Sequence, residues 1–300
     1  MYYFKENYFE ISKSLNKKGL SVVRSLVKKK DINNIKSKTK KLLNISKHLG
    51  PAFNVKLISQ NKKIKFKLNG VARELNYKLS KNILKKGYKY YSKFTNSIEI
   101  LNPLLNFPEL NDYIFQHDII AVAKEYLKTE DPKVLYVAMR IHFRNNIPEN
   151  DVNFFHCDDR SFVTKKKNHL LKLLIPFHLK KGIKIEFNQL TIPKNKMNIS
   201  KKLFQSLQHS KKKDFPKRFK KFFIKPNIKN QDAYFFNPDN FFHNAEKPKT
   251  LRIMVYIVFG KNTSYLAKKS HLIKINKKYF GHLPIDLKNF GSLLNKYTPR

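Results

Sequence analysis

From about residue 133 the apolar residues of this chain follow a period of two, and this pattern limits the possible folds more than any other feature. The run KVLYVAMRIHF (133–143) alternates its side chains between two faces, one carrying Val137 and Met139 and the other Arg140. The runs HLLKLLIPFHL and IKIEFNQLTI predict further strands, as do both sides of the turn NPDN and the later run TLRIMVYIVFG. Helices followed by many short strands predict a β-sandwich or barrel with helices around it.

The first 130 residues show mainly helical spacing. DINNIKSKTKKLLNISKHL (31–49) predicts one helix, with Asp31 as its N-cap. PELNDYIFQHDIIAVAKEYL (108–127) predicts a second helix, with His117 on its apolar face. A short strand, Leu20–Val23, is expected ahead of the first of these helices. Gly19 precedes this strand and lets the chain enter it.

The segment 194–230 interrupts the strands with a basic stretch rich in phenylalanine. In SKKKDFPKRFKKFFIKP, Phe215 and Phe219 are followed at helical spacing by Phe222 or Phe223, with Lys and Arg at most other positions. The pattern predicts an amphipathic helix. Such a helix either packs its aromatic face on the body of the protein or lies on an anionic membrane or substrate.

The charge of the chain indicates which partners it would attract. Its 63 Lys and Arg against 21 Asp and Glu give a formal net charge of +42, which would attract nucleic acid, anionic lipid or phosphorylated glycan. The lysines are spread along the whole chain, so the charge by itself marks no single binding segment. The one cysteine excludes an internal disulfide and a cysteine-based zinc cluster. We see no secretory signal and no apolar run long enough for a transmembrane segment, so a cytoplasmic protein is expected.

One short motif, HCD, combines residue types that bind metals. If the segment is extended, His156 and Asp158 face the same way and Cys157 faces the opposite way. A third ligand must come from elsewhere, and the best candidate is His243, which follows the NPDN turn near a strand end. Two histidines and one carboxylate form the facial triad of non-haem Fe(II) oxygenases, which leaves positions open on the metal.

Arg252 lies nine positions after His243, at the start of an apolar predicted strand. Only 8 of the 63 basic residues are Arg, so an Arg that enters such a strand requires a reason. Its planar guanidinium matches a carboxylate with two hydrogen bonds, which an ammonium group cannot do. Beside a ferrous site, an inward Arg could hold the distal carboxylate of 2-oxoglutarate.

The order His156-x-Asp158, His243, Arg252 resembles the Fe(II)/2-oxoglutarate dioxygenases, and specifically their phytanoyl-CoA dioxygenase-like branch. The likeness extends to LNKKGLSVVRSLVKKKDINNIKSKTKKLL, IIAVAKEYLKTEDPKVLYVAMRIHF and LLKLLIPFHLKKGIKIEF, and it covers most of residues 12–260. It implies a mainly β fold with flanking helices around a double-stranded β-helix, or jelly roll. It also implies Fe(II), 2-oxoglutarate and O2 as cofactor and co-substrates, and oxidative decarboxylation of 2-oxoglutarate coupled to hydroxylation of a substrate.

The resemblance further implies an organisation and a set of site residues. One domain is expected. Residues 1–130 would form a helical N-terminal support that contains short strands, and residues 131–262 would form the catalytic jelly roll, with an insert at 194–230. Residues 263–300 would form a C-terminal extension. The implied metal ligands are His156, Asp158 and His243. The implied co-substrate residues are Arg252, with Asn153 and Arg140 as further candidates.

The sequence departs from the family pattern in two places. After Gly182 the usual Pro-Gly-Ser-His-like turn is reduced to Pro193, which puts the substrate fit in doubt more than the iron site. Arg252 follows His243 by nine positions where about eleven are usual, but both spacings are odd, so the side chain keeps its strand face. Lys249, in the intervening turn, is a weaker alternative anchor.

Two functions of different classes follow. The first is a hydroxylase of a small molecule, lipid or glycan, with the basic surface favouring an anionic lipid, glycan or acyl thioester. The second is a catalytically inactive protein on the oxygenase fold that binds a polyanion, such as nucleic acid or an anionic membrane or glycan surface, through its positive charge.

Overall fold

The computed structural model describes residues 7–44, 54–58, 97–101, 107–114, 116–144, 153–158, 170–178 and 187–261. Within these ranges there are six α-helices and ten strands. The helices are α1 (Tyr8–Lys18), α2 (Lys29–Asn44), α3 (Asn111–Ile114), α4 (His117–Leu127), α5 (Lys201–Leu207) and α6 (Lys217–Lys220). The strands are β1 (Leu20–Val23), β2 (Asn54–Ile58), β3 (Ser97–Leu101), β4 (Lys133–His142), β5 (Leu170–His178), β6 (Phe187–Leu190), β7 (Phe223–Ile224), β8 (Ala233–Phe236), β9 (His243–Ala245) and β10 (Arg252–Gly260).

Two antiparallel sheets pack face to face. The larger sheet has the strand order β1-β8-β5-β10-β4-β3-β2, and the smaller has the order β7-β6-β9. Phe155 and His156 add a further segment to the smaller sheet through backbone bridges to Ser210 and His243. Between the sheets, Phe187 of β6 packs with inward side chains of β5, β8 and β10. The predicted sandwich of short strands is confirmed.

The outer face of the larger sheet is covered by helices, chiefly α1, α2 and α4. On β10, Ile253, Val255 and Ile257 are fully buried in this outer core, whereas Met254 belongs to the cluster between the sheets. The alternation along the strand therefore separates side chains that stabilise the fold from side chains that can line a site. Arg252 has the parity of Met254 and projects to the inner side.

The predicted strand before the first long helix is confirmed as β1, and Gly19 explains how the chain enters it. Gly19 ends α1 with φ 71°, in the left-handed region. A Cβ at this position would lie 2.4 Å from the ring of Phe241 and 2.5 Å from Nε2 of Gln189. Glycine is therefore required at this junction, which brings β1 to the edge of the larger sheet beside β8.

The first predicted helix is present as α2, with a different start. α2 begins at Lys29, so Asp31 lies in its first turn instead of capping it, and the Asp31 carboxylate accepts a hydrogen bond from the Tyr113 hydroxyl. This contact links α2 to α3. Residues 45–49 of the predicted helix lie outside the described residues.

The second predicted helix is divided into α3 and α4, and the prediction that His117 lies on its apolar face was wrong. α4 begins after Gln116, whose backbone is extended (φ −60°, ψ 131°), so the helical phase is set anew at that point. Its buried side chains include Ile119, Val122 and Tyr126. His117, predicted on the apolar face, has a side chain that is 91% exposed.

The predicted amphipathic helix of the insert is also shorter than expected. It is reduced to the single turn α6, because the next residues form β7, where Phe223 pairs with Leu190 of β6. Phe215 and Phe219 are nonetheless buried, and the Phe215 ring lies 5.2 Å from that of Phe242. The aromatic side chains thus pack on the body of the protein, while the lysines of the insert face solvent, except for the buried Lys194.

Strands from the first 130 residues take part in the larger sheet. β1 forms one edge, and β2 and β3 form the other beyond β4. The division at residue 130 and the bounds of the insert stay predictions, and the extension 263–300 lies outside the described residues. In the part of the chain that the structure describes, no helix has the length and apolar character needed to span a membrane.

Candidate metal centre

His156 and His243 are held side by side by their own backbones. The amide of His156 donates to the carbonyl of His243 (3.0 Å), and the amide of His243 donates back to the carbonyl of His156 (2.9 Å). This antiparallel bridge brings together two segments that are far apart in the chain. The ring centroids lie 4.6 Å apart as a result. Asp158 is fixed nearby, because its amide donates to the carbonyl of Pro238 at 2.7 Å.

Each imidazole has one nitrogen engaged by the backbone and the other turned toward Asp158. Nδ1 of His156 donates to the carbonyl of Phe154 (2.8 Å), and Nδ1 of His243 donates to that of Phe241 (3.1 Å). These contacts set the tautomer and leave the Nε2 lone pairs available. The Nε2 atoms of His156 and His243 lie 3.6 and 3.7 Å from Oδ1 of Asp158.

The three side chains form a compact donor set. One ligand atom from each of His156, Asp158 and His243 lies within 4.8 Å of the other two. These donors are two imidazole nitrogens and one carboxylate oxygen. This combination is the one that Fe(II) prefers in non-haem sites. The structure therefore brings together the three predicted ligands, and their role in binding metal stays a prediction.

Lys172 of β5 completes the electrostatics of this cluster. Its ammonium donates to Oδ2 of Asp158. Burial alone would raise the pKa of the Asp158 carboxyl, but the charge of Lys172, followed by the neighbouring His243 and His156, holds that pKa well below its usual range. Burial and the neighbouring His156 lower the pKa of His243 to about 3, and burial also lowers the pKa of His156. Near neutral pH the site thus offers a carboxylate and two neutral imidazoles, the protonation states that bind a metal.

Aromatic rings line the centre. Phe236 of β8 contacts His243 edge to face, with centroids 4.9 Å apart, and Phe187 of β6 lies at 6.2 Å from the same ring. On the other side the ring of His209, from the insert, stacks on His156 at 5.9 Å. His209 has φ 64°, an uncommon conformation for a residue with a Cβ. The centre is therefore enclosed by both sheets and by the insert.

Arg252 lies at the first position of β10 and is 1% exposed. Burial and the charges of Arg252 and Arg140 lower the pKa of His142 far below its usual value. Burial, followed by the neighbouring Tyr256, raises the pKa of Tyr234, although Arg252 opposes this shift. Tyr234 packs in turn against Phe187, at 4.8 Å between centroids. Arg252 is thus close enough to influence the pKa of Tyr234, which packs on Phe187, a ring that lines the metal centre.

Two buried polar atoms accompany Arg252 on this inner side. Nε2 of His142 and the hydroxyl of Tyr234 have no hydrogen-bond partner among the described residues. A buried polar atom without a partner carries a free-energy cost of about 1–3 kcal/mol. Such atoms beside a buried cation are suited to a bound anion.

The other predicted co-substrate residues have different surroundings. The guanidinium of Arg140 lies 5.2 Å from the ring centroid of Tyr256, on the same inner face as Arg252. The side-chain amide of Asn153 donates to the carbonyl of Ala245 (2.8 Å), so it braces the segment before His156 against β9. Co-substrate binding by Arg140 or Asn153 stays a prediction. Lys249, the alternative anchor, is exposed.

Lys172 and Tyr234 were missed as site residues by sequence reasoning, and His142 was interpreted as a core or surface histidine. Lys172 carried a usable signal, since a lysine inside the apolar run HLLKLLIPF requires an anionic partner once the strand is buried. His142 lies in a strand-like run that could approach the site, and strand pairing places it opposite Arg252. Tyr234 carried no signal, because it lies two strands from β10 in the larger sheet and only the tertiary structure brings it within the influence of the Arg252 charge.

The neutral histidines make the metal-free protein sensitive to acid. The folded-state pKa of His243, about 3, is below the usual 6.5, so between these values the unfolded chain binds more protons than the folded one. The free energy of unfolding should therefore fall as the pH drops from 6.5 to 5. The slope from this one residue is at most about 1.4 kcal/mol per pH unit. Urea unfolding of wild type and His243→Gln measures it, and the variant should show a shallower slope.

An exposed histidine provides the control for this measurement. His117→Gln should keep the wild-type slope, because its side chain is 91% exposed. Equal slopes in wild type and His243→Gln would contradict the burial of a neutral imidazole at position 243.

No protein-family description and no curated protein matches the sequence. The fold is similar to that of the non-haem α-ketoglutarate-dependent epimerase SnoN from nogalamycin biosynthesis, with 9% identity, a TM-score of 0.52 and coverage of 84% of this chain and 82% of that chain. EctD from S. alaskensis with bound Fe has 8% identity, a TM-score of 0.51 and coverage of 86% and 79%. HygX from Streptomyces hygroscopicus with nickel and 2-oxoglutarate bound has 9% identity, a TM-score of 0.50 and coverage of 84% and 86%. The predicted fold class is confirmed, and this chain has a mainly β jelly-roll core with flanking helices.

Proposed function

We propose that this chain is an Fe(II)- and 2-oxoglutarate-dependent oxygenase of the phytanoyl-CoA dioxygenase-like type, acting as a hydroxylase. The observation that carries the proposal is the convergence of His156 Nε2, His243 Nε2 and Asp158 Oδ1 between the two sheets of a jelly roll. The fold shared with SnoN, EctD and HygX supports it.

The donor set fits iron. Both imidazoles present Nε2 because carbonyl groups engage their Nδ1 atoms, and the low pKa of Asp158 keeps its carboxylate charged. Three protein ligands on one side of the metal leave positions for a chelating co-substrate and oxygen. Cysteine takes no part, since Cys157 is buried in a separate apolar cluster behind the site.

The inner surface beyond the metal centre fits 2-oxoglutarate. The buried guanidinium of Arg252 would bind the distal carboxylate with two hydrogen bonds, and an ammonium could not reproduce this geometry. The Tyr234 hydroxyl and Nε2 of His142 would gain the partner that they lack among the described residues. Because burial keeps both groups uncharged, the positive charge at this end comes from Arg252 and the neighbouring Arg140.

When iron and 2-oxoglutarate are bound, they supply the chemistry: O2 and the keto acid give succinate, carbon dioxide and one oxygen atom inserted into a substrate C–H bond. The chain's own contribution is geometric and electrostatic. His156, His243 and Asp158 would hold the metal, Arg252 would orient the co-substrate, and the rings of Phe187 and Phe236 would exclude water.

The insert supports an anionic substrate. Of its residues 194–230, 13 are Lys or Arg and one is acidic. This basic segment reaches the metal centre, because Phe155 exchanges backbone hydrogen bonds with Ser210 and His209 at 2.8 Å. The next residue, Lys211, has its ammonium 5.7 Å from the ring centroid of Phe154. The substrate class proposed is therefore a small anionic molecule, such as a phosphorylated glycan, an anionic lipid or an acyl thioester.

The test is succinate formation by the purified protein with Fe(II), ascorbate and 2-oxoglutarate. Panels of phosphorylated or carboxylated compounds and of their neutral counterparts would be added, and succinate would be measured by mass spectrometry. We expect iron-dependent turnover that anionic members stimulate more than neutral ones. Absence of Fe(II) binding in an anaerobic titration would refute the proposed function, and stimulation by neutral members alone would refute only the substrate class.

The polyanion-binding alternative receives less support. A protein that only binds nucleic acid or an anionic surface has no need for an assembled donor set with both histidine tautomers fixed. Salt separates the two functions, since polyanion affinity falls steeply between low and moderate salt and chelation to a buried metal does not.

A further inference from the structure

Lys172 reaches the metal centre from the larger sheet. It lies within β5 between Leu171 and Leu173, which are fully buried on the outer side, so its own side chain projects inward with Leu174. The stem passes Phe236, with the ammonium 5.6 Å from the ring centroid. The Lys172 side chain is 19% exposed. A lysine in this position carries a desolvation cost that only an anionic partner offsets.

That partner is one particular oxygen of Asp158. The ammonium of Lys172 contacts Oδ2, whereas Oδ1 faces Nε2 of His156 (3.6 Å) and Nε2 of His243 (3.7 Å). The two oxygens of the carboxylate therefore have different neighbours. One is directed at the point where the ligands converge, and the other is engaged by a cation held by a rigid strand.

We propose that Lys172 is a positioning residue that makes Asp158 a one-oxygen ligand and so keeps a metal position open for the co-substrate. The inference rests on the proposed function. Carboxylates bind metals through one or both oxygens. With Oδ2 engaged by the ammonium, only Oδ1 is offered to the metal. Without Lys172, Oδ2 could also coordinate and occupy a position that the keto acid requires.

The charge of Lys172 also favours binding of the co-substrate. A cation beside the carboxylate repels a divalent metal and attracts a dianionic co-substrate. Its removal should therefore leave metal affinity equal or higher, while the affinity for 2-oxoglutarate falls. A residue with a merely structural role would change both affinities in the same direction.

The experiment uses Lys172→Met, which keeps the aliphatic stem, and Lys172→Arg, which keeps a charged donor. Anaerobic Co(II) titration followed by absorption gives metal affinity and coordination, and calorimetry on the Co(II)-loaded protein gives the Kd of 2-oxoglutarate. We expect Lys172→Met to raise that Kd at least about tenfold, which corresponds to about 1.4 kcal/mol, because the keto acid would then have to displace Oδ2 from the metal. Its Co(II) affinity should be equal to or above wild type, with a spectrum shifted toward higher coordination, and Lys172→Arg should restore 2-oxoglutarate binding.

Lys194→Met is the matched control. Lys194 is 2% exposed and its ammonium lies 5.8 Å from the Phe204 ring, so this variant reports the cost of removing a buried lysine that packs on the apolar cluster around Phe204. Both affinities should match wild type. A wild-type Kd for 2-oxoglutarate in Lys172→Met, or a parallel fall in both affinities, would overturn the inference. Failure of wild type to bind Co(II) would instead refute the proposed function beneath it.

Discussion

Replacing His156 with alanine should abolish succinate formation and lower Fe(II) affinity by about a hundred- to a thousandfold. Structural zinc sites with four ligands bind their metal with about 10–16 kcal/mol, so one ligand is worth roughly 3 kcal/mol. His156 should be worth at least as much, because a centre with three protein ligands depends more on each of them. The backbone bridge to His243 does not involve the imidazole, so the variant should fold.

The measurements are an anaerobic Fe(II) titration and succinate quantification under air, each with wild type and His156→Ala. His117→Ala is the matched control, since it removes an exposed imidazole from α4 and should behave as wild type. Iron affinity of His156→Ala within a few-fold of wild type would show that His156 is not a ligand, even if turnover were lost.

Replacing Arg252 with glutamine should raise the Kd of 2-oxoglutarate at least about 30-fold. Truncating one partner of a buried, hydrogen-bonded charge pair costs about 2–5 kcal/mol, and Arg252 is 1% exposed. Metal affinity without co-substrate should stay near wild type, because the triad is held by other contacts. Calorimetry on the anaerobic, Co(II)-loaded protein gives the Kd, and Co(II) titration of the same variant shows whether the fold is intact.

Lys249→Gln tests the alternative anchor and serves as the control for Arg252. Lys249 is exposed in the turn between β9 and β10, so its removal should leave the Kd of 2-oxoglutarate unchanged. Arg252→Lys should recover only part of the affinity, because an ammonium loses the paired hydrogen bonds. Weakened binding in Lys249→Gln with normal binding in Arg252→Gln would transfer the proposed role to the turn.

Local patterns were sufficient for some elements and misleading for others. Strand alternation predicted β4, because the side of a strand on which a residue lies depends only on its parity, and an apolar run after a turn predicted β10. The prediction of the apolar face from helical spacing failed at α4, because the extended backbone of Gln116 ends the earlier helical phase and a new helix begins after it. The helix predicted in the insert failed because Phe223 gains a strand partner in Leu190, which a pattern within the insert cannot reveal.

The candidate site shows the same division. The spacing of His156 and Asp158 marked them as candidate ligands on one strand face. The order of turns and strands then added His243 as a third candidate ligand and Arg252 as a candidate co-substrate residue. The roles of these four residues stay predictions, but the structure does place the first three within reach of one metal ion. Lys172 escaped notice because sequence shows a lysine in an apolar run and not the carboxylate that faces it.

The sequence by itself determined that the second half of this chain forms two-faced strands, and it marked which residue types could carry chemistry. Only the tertiary structure decided that His156 pairs with His243 and that Lys172 engages one oxygen of Asp158 while the other faces the imidazoles. The physical reason is the distance along the chain between the residues that determine each feature. Parity along a strand is set by neighbouring residues, whereas register and pairing depend on burial and hydrogen bonds between segments far apart in the chain.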